Sequence, residues 1–166
     1  MVNKVMLISA PLSAEKGTNF LTHQVPLGFL YMGWVLEKNG FKVKILDCPL
    51  FYKQRRAVDK NIVKIGLLPA KIKQQIREFN PDVIGVSCSF TMFEQDCFEL
   101  INFIREVDKK VKIVVGGAHV SSNPEYVLRN KSIDLAVIGE GELTLLEISK
   151  NVINKKPLDK IKGTAL

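Results

Sequence analysis

The stretch Asn80-Pro-Asp-Val-Ile-Gly-Val-Ser-Cys88 decides the fold class of this chain. Its Asn-Pro-Asp start ends any preceding helix, because proline disfavours a helical conformation in the residue before it. The run that follows is short, continuous and apolar, as a parallel strand is when helices cover both its faces. Five runs share this character: Val5–Ser9, Lys42–Asp47, Val83–Ser87, Lys112–Val115 and Leu135–Ile138.

Longer amphipathic stretches separate these runs and predict helices. The helix at 27–39, with Gly40 as its C-cap, is apolar nearly all round and is therefore expected to be largely buried. Thr91-Met-Phe-Glu94 has the pattern of a capping box that opens a helix reaching about Asp108. The remaining helices are predicted at 69–79, from Ser122-Asn-Pro-Glu125 to near Asn130, and at 142–154.

The β-α alternation predicts an α/β fold, an open five-stranded parallel sheet in strand order 2-1-3-4-5 with helices on both faces. The stretch Asp47–Asn61 is expected to be irregular, and it is a candidate cover for a ligand or contact with another domain. Residues 1–154 form the predicted domain, and residues 155–166 a C-terminal tail.

Composition narrows the classes of function. The 166 residues suit one domain, and no apolar run has the length of a membrane span or a signal-peptide core, so a cytoplasmic protein with no membrane partner is expected. The net charge of +7 is spread along the chain without interleaved aromatic residues, so no nucleic acid is expected as a partner. Cys48, Cys88 and Cys97 lack the spacing of a disulfide framework, a zinc site or an iron–sulfur site.

In an open α/β sheet, ligands bind beyond the carboxyl ends of the strands. The segments there exclude three familiar sites. The first strand is followed by Ala10-Pro-Leu-Ser-Ala14 rather than a dinucleotide fingerprint, no P-loop is present, and the acidic pair and lysine of a response-regulator receiver are missing.

Three other loops at this edge are candidate ligand contacts. Two carry glycines, Val114-Val-Gly-Gly-Ala-His119 and Ile138-Gly-Glu-Gly-Glu142, which let a ligand approach the backbone or merely form tight turns. The third, Ser87-Cys-Ser-Phe-Thr-Met-Phe93, combines hydroxyls that can bind a heterocycle with apolar side chains that can pack on a macrocycle. The simpler interpretation is a helix cap and core residues, and both can hold.

Taken in order, several segments resemble the cobalamin-binding domain of class B radical-SAM enzymes, the group of Mg-protoporphyrin monomethyl ester cyclases and cobalamin-dependent methyltransferases. The similarity covers nearly the whole chain. It is carried by Val25-Pro-Leu-Gly-Phe-Leu-Tyr-Met-Gly33, Leu36-Glu-Lys-Asn-Gly-Phe-Lys-Val43, Asn80–Cys88, Val114–His119 and Asp134-Leu-Ala-Val-Ile-Gly-Glu-Gly-Glu142.

The resemblance implies a flavodoxin-like Rossmann fold, a three-layer α/β/α sandwich, and a cobalamin site at its edge. The loops after the third, fourth and fifth strands would border the nucleotide tail of the cofactor, and the loop before the first helix would lie near the lower face of the corrin. The implied cofactor-binding residues are Pro26, Leu27, Gly28, Ser87, Ser89, Thr91, Gly116, Gly117, His119, Gly139, Glu140, Gly141 and Glu142.

Two departures from related patterns shape the expected cofactor chemistry. His23 and His119 both lack the D-x-H-x-x-G context of a lower cobalt ligand, so we expect cobalamin to bind without a histidine from this domain. The C-x-x-x-C-x-x-C motif of the family is not in the sequence. We therefore expect the 4Fe-4S cluster and S-adenosylmethionine to bind in a C-terminal radical-SAM domain outside this chain, without which the chain catalyses nothing.

Two alternatives remain open at this stage. In the first alternative, the chain is a non-catalytic interaction domain that binds no corrinoid. In the second, it is a flavodoxin-like domain that binds another nucleotide or a phosphate ligand at the same edge of the sheet. A measurement of cobalamin binding distinguishes the cobalamin-binding domain from both alternatives.

Overall fold

The computed structural model describes residues 3–18 and 25–166. Its main sheet contains the five predicted strands as β1 (Lys4–Ser9), β3 (Lys42–Asp47), β6 (Val83–Ser87), β7 (Lys112–Gly116) and β8 (Leu135–Val137). They are parallel and lie in the order β3-β1-β6-β7-β8, which confirms the predicted order. The predicted strand count is corrected to six, because β9 (Thr164–Ala165) pairs antiparallel with β8. Residues 155–166, predicted as a tail, thus supply the edge strand, and Ile161 is buried.

The helices form one layer on each face of this sheet. One core cluster joins Met6, Ile8, Ile84 and Val86 to α2 (Pro69–Phe79) and α3 (Glu94–Val107). The other joins Val5, Leu7 and Val83 to α1 (Leu27–Lys38) and α6 (Glu142–Ile153). Alternate strand residues therefore face opposite layers, as the pleat of a strand requires. The helix predicted from Ser122 to near Asn130 is present as the shorter α5 (Pro124–Val127), and the short α4 (Ala118–Ser122) before it was not predicted.

A second, three-stranded antiparallel sheet was not predicted. It consists of β2 (Leu12–Glu15), β4 (Arg55–Ala57) and β5 (Ile62–Ile65) in the order β2-β5-β4. The stretch Asp47–Asn61 is therefore not irregular throughout, since it contains a 3-10 turn at Cys48–Phe51 and strand β4. Buried Asp96 on α3 fastens this sheet: its carboxylate accepts hydrogen bonds from the backbone N–H and hydroxyl of Ser13, at 2.7 and 2.6 Å, and pairs with Lys64 at 2.6 Å.

Helix α1 ends as predicted but is less buried than predicted. Gly40 has φ +83°, and the Gly40 and Phe41 N–H groups donate to the carbonyls of Glu37 and Leu36, which is a Schellman motif. Within the helix only Phe29, Gly33 and Leu36 are buried. The expectation of a largely buried helix is wrong, because one face remains uncovered and exposes Leu27, Leu30, Tyr31 and Trp34.

In the described part of the chain, no helix has the length and apolar composition needed to cross a bilayer.

Candidate functional site

A cavity of about 690 Å³ opens at the carboxyl edge of the main sheet. It lies between β1 and β6, where the strand order changes direction, and α/β folds bind ligands at such points. Ser9, Asp47, Ser87 and Gly116, the last residues of four parallel strands, line it. Its walls expose more apolar than polar surface, as is usual in sites for large organic ligands.

The structure brings most of the predicted site residues to this cavity. The β6 loop contributes Ser87 and Ser89, whose hydroxyl oxygens lie 3.1 Å apart. Phe90 and Met92 from the same loop also line the cavity and are largely exposed. The other predicted residues that line it are Pro26, Leu27, Gly28, Gly116, Gly117, Gly139, Glu140, Gly141 and Glu142.

The glycines of the β7 loop have different roles. Gly117 has φ +117°, and a Cβ atom there would lie 2.6 Å from the Cys88 carbonyl oxygen, so this position requires glycine. At Gly116 the nearest obstacle to a Cβ is Val137 Cβ at 3.7 Å, an ordinary contact, and the residue faces the cavity. Gly116 therefore provides open space for a ligand, whereas Gly117 serves loop packing.

The loop after β8 is held in place by hydrogen bonds. The Gly139 N–H donates to Ser121 Oγ on α4 at 2.9 Å, and the Leu145 N–H donates to the Gly141 carbonyl at the start of α6. Glu142 lies in the first turn of α6, where a carboxylate interacts favourably with the helix dipole. A Cβ on Gly141 would approach Met32 Sδ to 3.1 Å, so α1 and this loop are closely packed beside the cavity.

Thr91 and His119 do not line the cavity in the described part of the chain. His119 is buried, and its Nδ1 lies 3.1 Å from Thr91 Oγ1 while its Nε2 lies 2.5 Å from Glu94 Oε2. The predicted capping box is wrong, because neither α3 nor the 3-10 turn at Thr91–Phe93 has a side-chain cap. The Thr91 and Glu94 side chains bind His119 instead. His23, the other histidine, lies outside the described residues.

The three cysteines are free and buried. Burial raises the pKa of the Cys48 thiol, next to the negative charge of Asp47. The hydrogen bond with Cys88, followed by burial, raises the pKa of Cys97, which lines the cavity. No three His, Cys, Asp or Glu side chains of residues 3–18 and 25–166 are grouped as metal ligands.

Sequence reasoning anticipated one wall of the cavity only in part, since it offered the stretch Asp47–Asn61 as a candidate ligand cover but named no residue of this wall as a ligand contact. Leu12 and Ile65 reach it from the second sheet, Pro49 and Tyr52 from the segment after β3, and Met32 from the inner side of α1. The only sequence signal for this wall was the length of the segment after β3. Its position depends on the Ser13–Asp96 contact, which joins parts of the chain far apart in sequence.

The sequence and fold of this chain are similar to those of known proteins. The family model described as B12 binding domain matches residues 17–149. Cytidylyl-2-hydroxyethylphosphonate methyltransferase of Streptomyces wedmorensis is 32% identical over 143 residues, which are 84% of this chain and 27% of that protein. The chain thus spans about a quarter of the length of this curated relative.

Solved structures of two enzymes share the fold. The radical S-adenosylmethionine methyltransferase TsrM of Kitasatospora setae aligns with 98% of this chain and 28% of its own, at a TM-score of 0.76 and 21% identity. A second TsrM structure contains cobalamin and a [4Fe-4S] cluster. The cobalamin-dependent radical enzyme OxsB, with aqua-cobalamin and S-adenosylmethionine bound, aligns with 98% of this chain and 20% of its own, at a TM-score of 0.70 and 23% identity.

Proposed function

Because this chain belongs to the B12-binding domain family, we propose that it binds cobalamin and forms the cofactor-binding part of a radical-SAM enzyme. The cavity at the sheet edge carries this proposal. It lies where the fold binds ligands, and eleven of the thirteen residues implied by the family resemblance line it, all but Thr91 and His119.

The residues around the cavity suit the nucleotide tail of cobalamin. Gly116 presents no side chain toward the cavity, and a Cβ atom added there would meet only Val137, at 3.7 Å. The hydroxyls of Ser87 and Ser89 can exchange hydrogen bonds with a heterocycle or a ribose, and they stand at the entrance between the ends of β6 and β7. We propose that the tail enters here and extends toward β8.

The mouth of the cavity suits the broad corrin ring. Leu27, Phe90 and Met92 line the cavity and expose much of their apolar surface. Covering these side chains with a flat macrocycle would remove that surface from water. When bound, cobalamin supplies a cobalt centre that carries a methyl group or accepts electrons, and the chain contributes binding and orientation.

We propose that no histidine of this domain ligates the cobalt. Both ring nitrogens of His119 are engaged by Thr91 and Glu94, and the ring is buried away from the cavity lining. His23 lacks the sequence context that orients a ligand imidazole. In a His23→Ala protein, the spectrum of bound cobalamin should therefore be unchanged.

The proposed partner is a radical-SAM domain of the same enzyme, which would hold the 4Fe-4S cluster and S-adenosylmethionine. The TsrM and OxsB chains are several times longer than the aligned domain. On α1, Leu27 at the cavity mouth continues into the uncovered face of Leu30, Tyr31 and Trp34. We propose that this apolar face packs on the radical-SAM domain, since such patches mark interfaces. A cysteine triad in the reading frame downstream would support the assignment.

A binding measurement tests the proposal directly. The purified chain is incubated with hydroxocobalamin and dialysed, and the absorbance of the retained corrinoid is compared with the protein concentration. We expect stoichiometric retention. Retention no greater than that of an unrelated protein of similar charge would contradict the proposal and favour the interaction or nucleotide-binding alternatives.

A further inference from the structure

A hydrogen-bonded bridge centred on buried His119 of α4 joins the chain segments that follow β6 and β7 and border the cavity. It consists of Thr91 and Glu94, which follow β6, and His119, which follows β7. His119 is only 5% exposed, and no side chain of the bridge lines the cavity within the described residues. The bridge is therefore separate from the cavity-lining residues Ser87, Ser89 and Gly116.

The hydrogen bond between His119 and Glu94 has a defined direction. The ionised Glu94 carboxylate only accepts hydrogen bonds, so His119 Nε2 must carry a hydrogen. In the neutral imidazole, Nδ1 then has a lone pair and accepts the hydroxyl hydrogen of Thr91. In the imidazolium, Nδ1 instead donates to the Thr91 oxygen, and in either form the bridge joins the same three side chains.

The same two loops are also in close backbone contact. The Cys88 N–H donates to the Gly116 carbonyl at 2.7 Å, and a Cβ on Gly117 would lie 3.1 Å from the Ser89 nitrogen. Because the two backbones are in contact, a shift of residues 87–91 would reshape the part of the cavity that Ser87, Ser89 and Gly116 line, which we call the groove. The bridge opposes this shift.

We infer that Thr91, Glu94 and His119 are positioning residues that hold the Ser87–Ser89 loop against the Gly116–Gly117 loop and so preform the groove for the nucleotide tail. This inference rests on the proposed cobalamin site. A groove formed before binding saves the cost of ordering its loops when the ligand arrives, and affinity rises accordingly. This gain in affinity depends on the part of the ligand that occupies the groove, which is the nucleotide tail.

Two corrinoids separate this role from a general structural one. Cobalamin carries the nucleotide tail, whereas cobinamide has the corrin ring without it. In His119→Phe a ring of similar size remains buried but both hydrogen bonds are lost. We expect cobalamin affinity to fall about tenfold, while cobinamide affinity changes by less than about twofold. Equal loss for both ligands, or no loss for either, would overturn the inference.

Variants of Thr91 separate the bridge from direct contact with the ligand. Thr91→Val removes the hydroxyl and should reproduce the His119→Phe effect, whereas Thr91→Ser should bind cobalamin like the parent. The double variant Thr91→Val/His119→Phe should be no weaker than either single variant, because residues of one bridge act together. Additive losses would show that Thr91 contacts the cofactor itself and would contradict the assignment.

Amide hydrogen exchange tests, in the absence of any ligand, whether the bridge stabilises the loop after β6. In His119→Phe the amides of residues 87–91 should exchange faster than in the parent, while those of β1 stay protected. Unchanged exchange would remove the structural basis of the inference even if the parent binds cobalamin. A parent that binds no corrinoid, with faster exchange in the variant, would overturn the proposed function and leave no tail groove for the bridge to position.

Discussion

Gly117 and Cys88 approach each other so closely that a Cβ atom on Gly117 would lie 2.6 Å from the Cys88 carbonyl oxygen. The contact brings together the loops after β6 and β7 beside the cavity. The φ angle of +117° at Gly117 disfavours any side chain independently of this contact. A substitution at Gly117 consequently tests the fold before it tests the binding of a ligand.

We predict that Gly117→Ala lowers the free energy of unfolding by about 2–4 kcal/mol, from backbone strain and the overlap with Cys88. Urea denaturation of the two proteins measures this difference. Gly116→Ala is the matched control, since its Cβ would meet only Val137 at 3.7 Å, and it should unfold like the parent. Equal stability of Gly117→Ala and the parent would mean that the loops separate readily.

The cavity itself is better tested at Gly116. A leucine there would extend into the space proposed for the nucleotide tail, and we predict that Gly116→Leu lowers cobalamin affinity at least about tenfold. Ala70→Leu places the same side chain on an exposed position of α2 and should bind cobalamin normally. Thermal melting of both variants controls for folding. Parent-like binding by a folded Gly116→Leu protein would place the tail elsewhere.

The main sheet was predictable because its evidence is local. Each parallel strand is a continuous apolar run, and right-handed crossovers restrict how such runs can be arranged. Strands β2, β4 and β5 have at most four residues and are partly exposed, so no strong local pattern distinguishes them from loops. Strands β4 and β5 form a local hairpin, but β2 pairs with β5 from a distant part of the chain. The edge strand β9 has only two residues.

Site residues at the ends of the parallel strands could be predicted from the sequence. Residues whose positions depend on tertiary contacts could not. Gly116 and Ser87 directly follow or end buried strands, so their place at the sheet edge is dictated by topology. Thr91 and Glu94 matched a capping box, but the buried imidazole of His119 on α4 competes for both side chains. The uncovered face of α1 has the same apolar composition as a buried one, and sequence alone does not reveal which faces the chain itself covers.

The second sheet should depend on Asp96. Its carboxylate is buried and accepts hydrogen bonds from Ser13 and Lys64, so Asp96→Ala should cost about 3 kcal/mol of stability. Hydrogen exchange should show that β2 and β5 lose protection first. The control is Glu99→Ala, which removes the half-exposed second partner of Lys64 at a cost below about 1 kcal/mol. Similar losses in both variants would assign the anchoring to Lys64 and Glu99 instead.

Asp134 should make stability depend on acidity. Burial raises the pKa of its carboxyl, but hydrogen bonds from the Ile113 N–H, Lys112 and Arg105 outweigh burial and lower the pKa below its usual range. A depressed folded-state pKa stabilises the protein above the ordinary aspartate pKa of about 3.9, and the contribution disappears as pH falls through the lower folded-state value.

We therefore predict that Asp134→Asn is less stable than the parent at pH 7 and that the difference shrinks below about pH 4. Urea midpoints measured from pH 7 to pH 3 give the comparison. Asp159→Asn makes the same change of charge at an exposed position and controls for net charge. A stability difference that stays constant over this range would show that the Asp134 charge is not what stabilises the fold.

The two sides of α1 should respond differently to the same substitution. Phe29 is buried against the sheet, so Phe29→Ala should cost about 3–5 kcal/mol. Trp34 is 61% exposed, and its ring contacts Lys38 through a cation–π interaction, so Trp34→Ala should cost less than about 1 kcal/mol. Because Trp34→Ala also reduces the exposed apolar surface of α1, it should raise the solubility of the isolated chain. A large loss of stability in Trp34→Ala would mean that the chain already covers this face by self-association, which sedimentation at increasing protein concentration would detect.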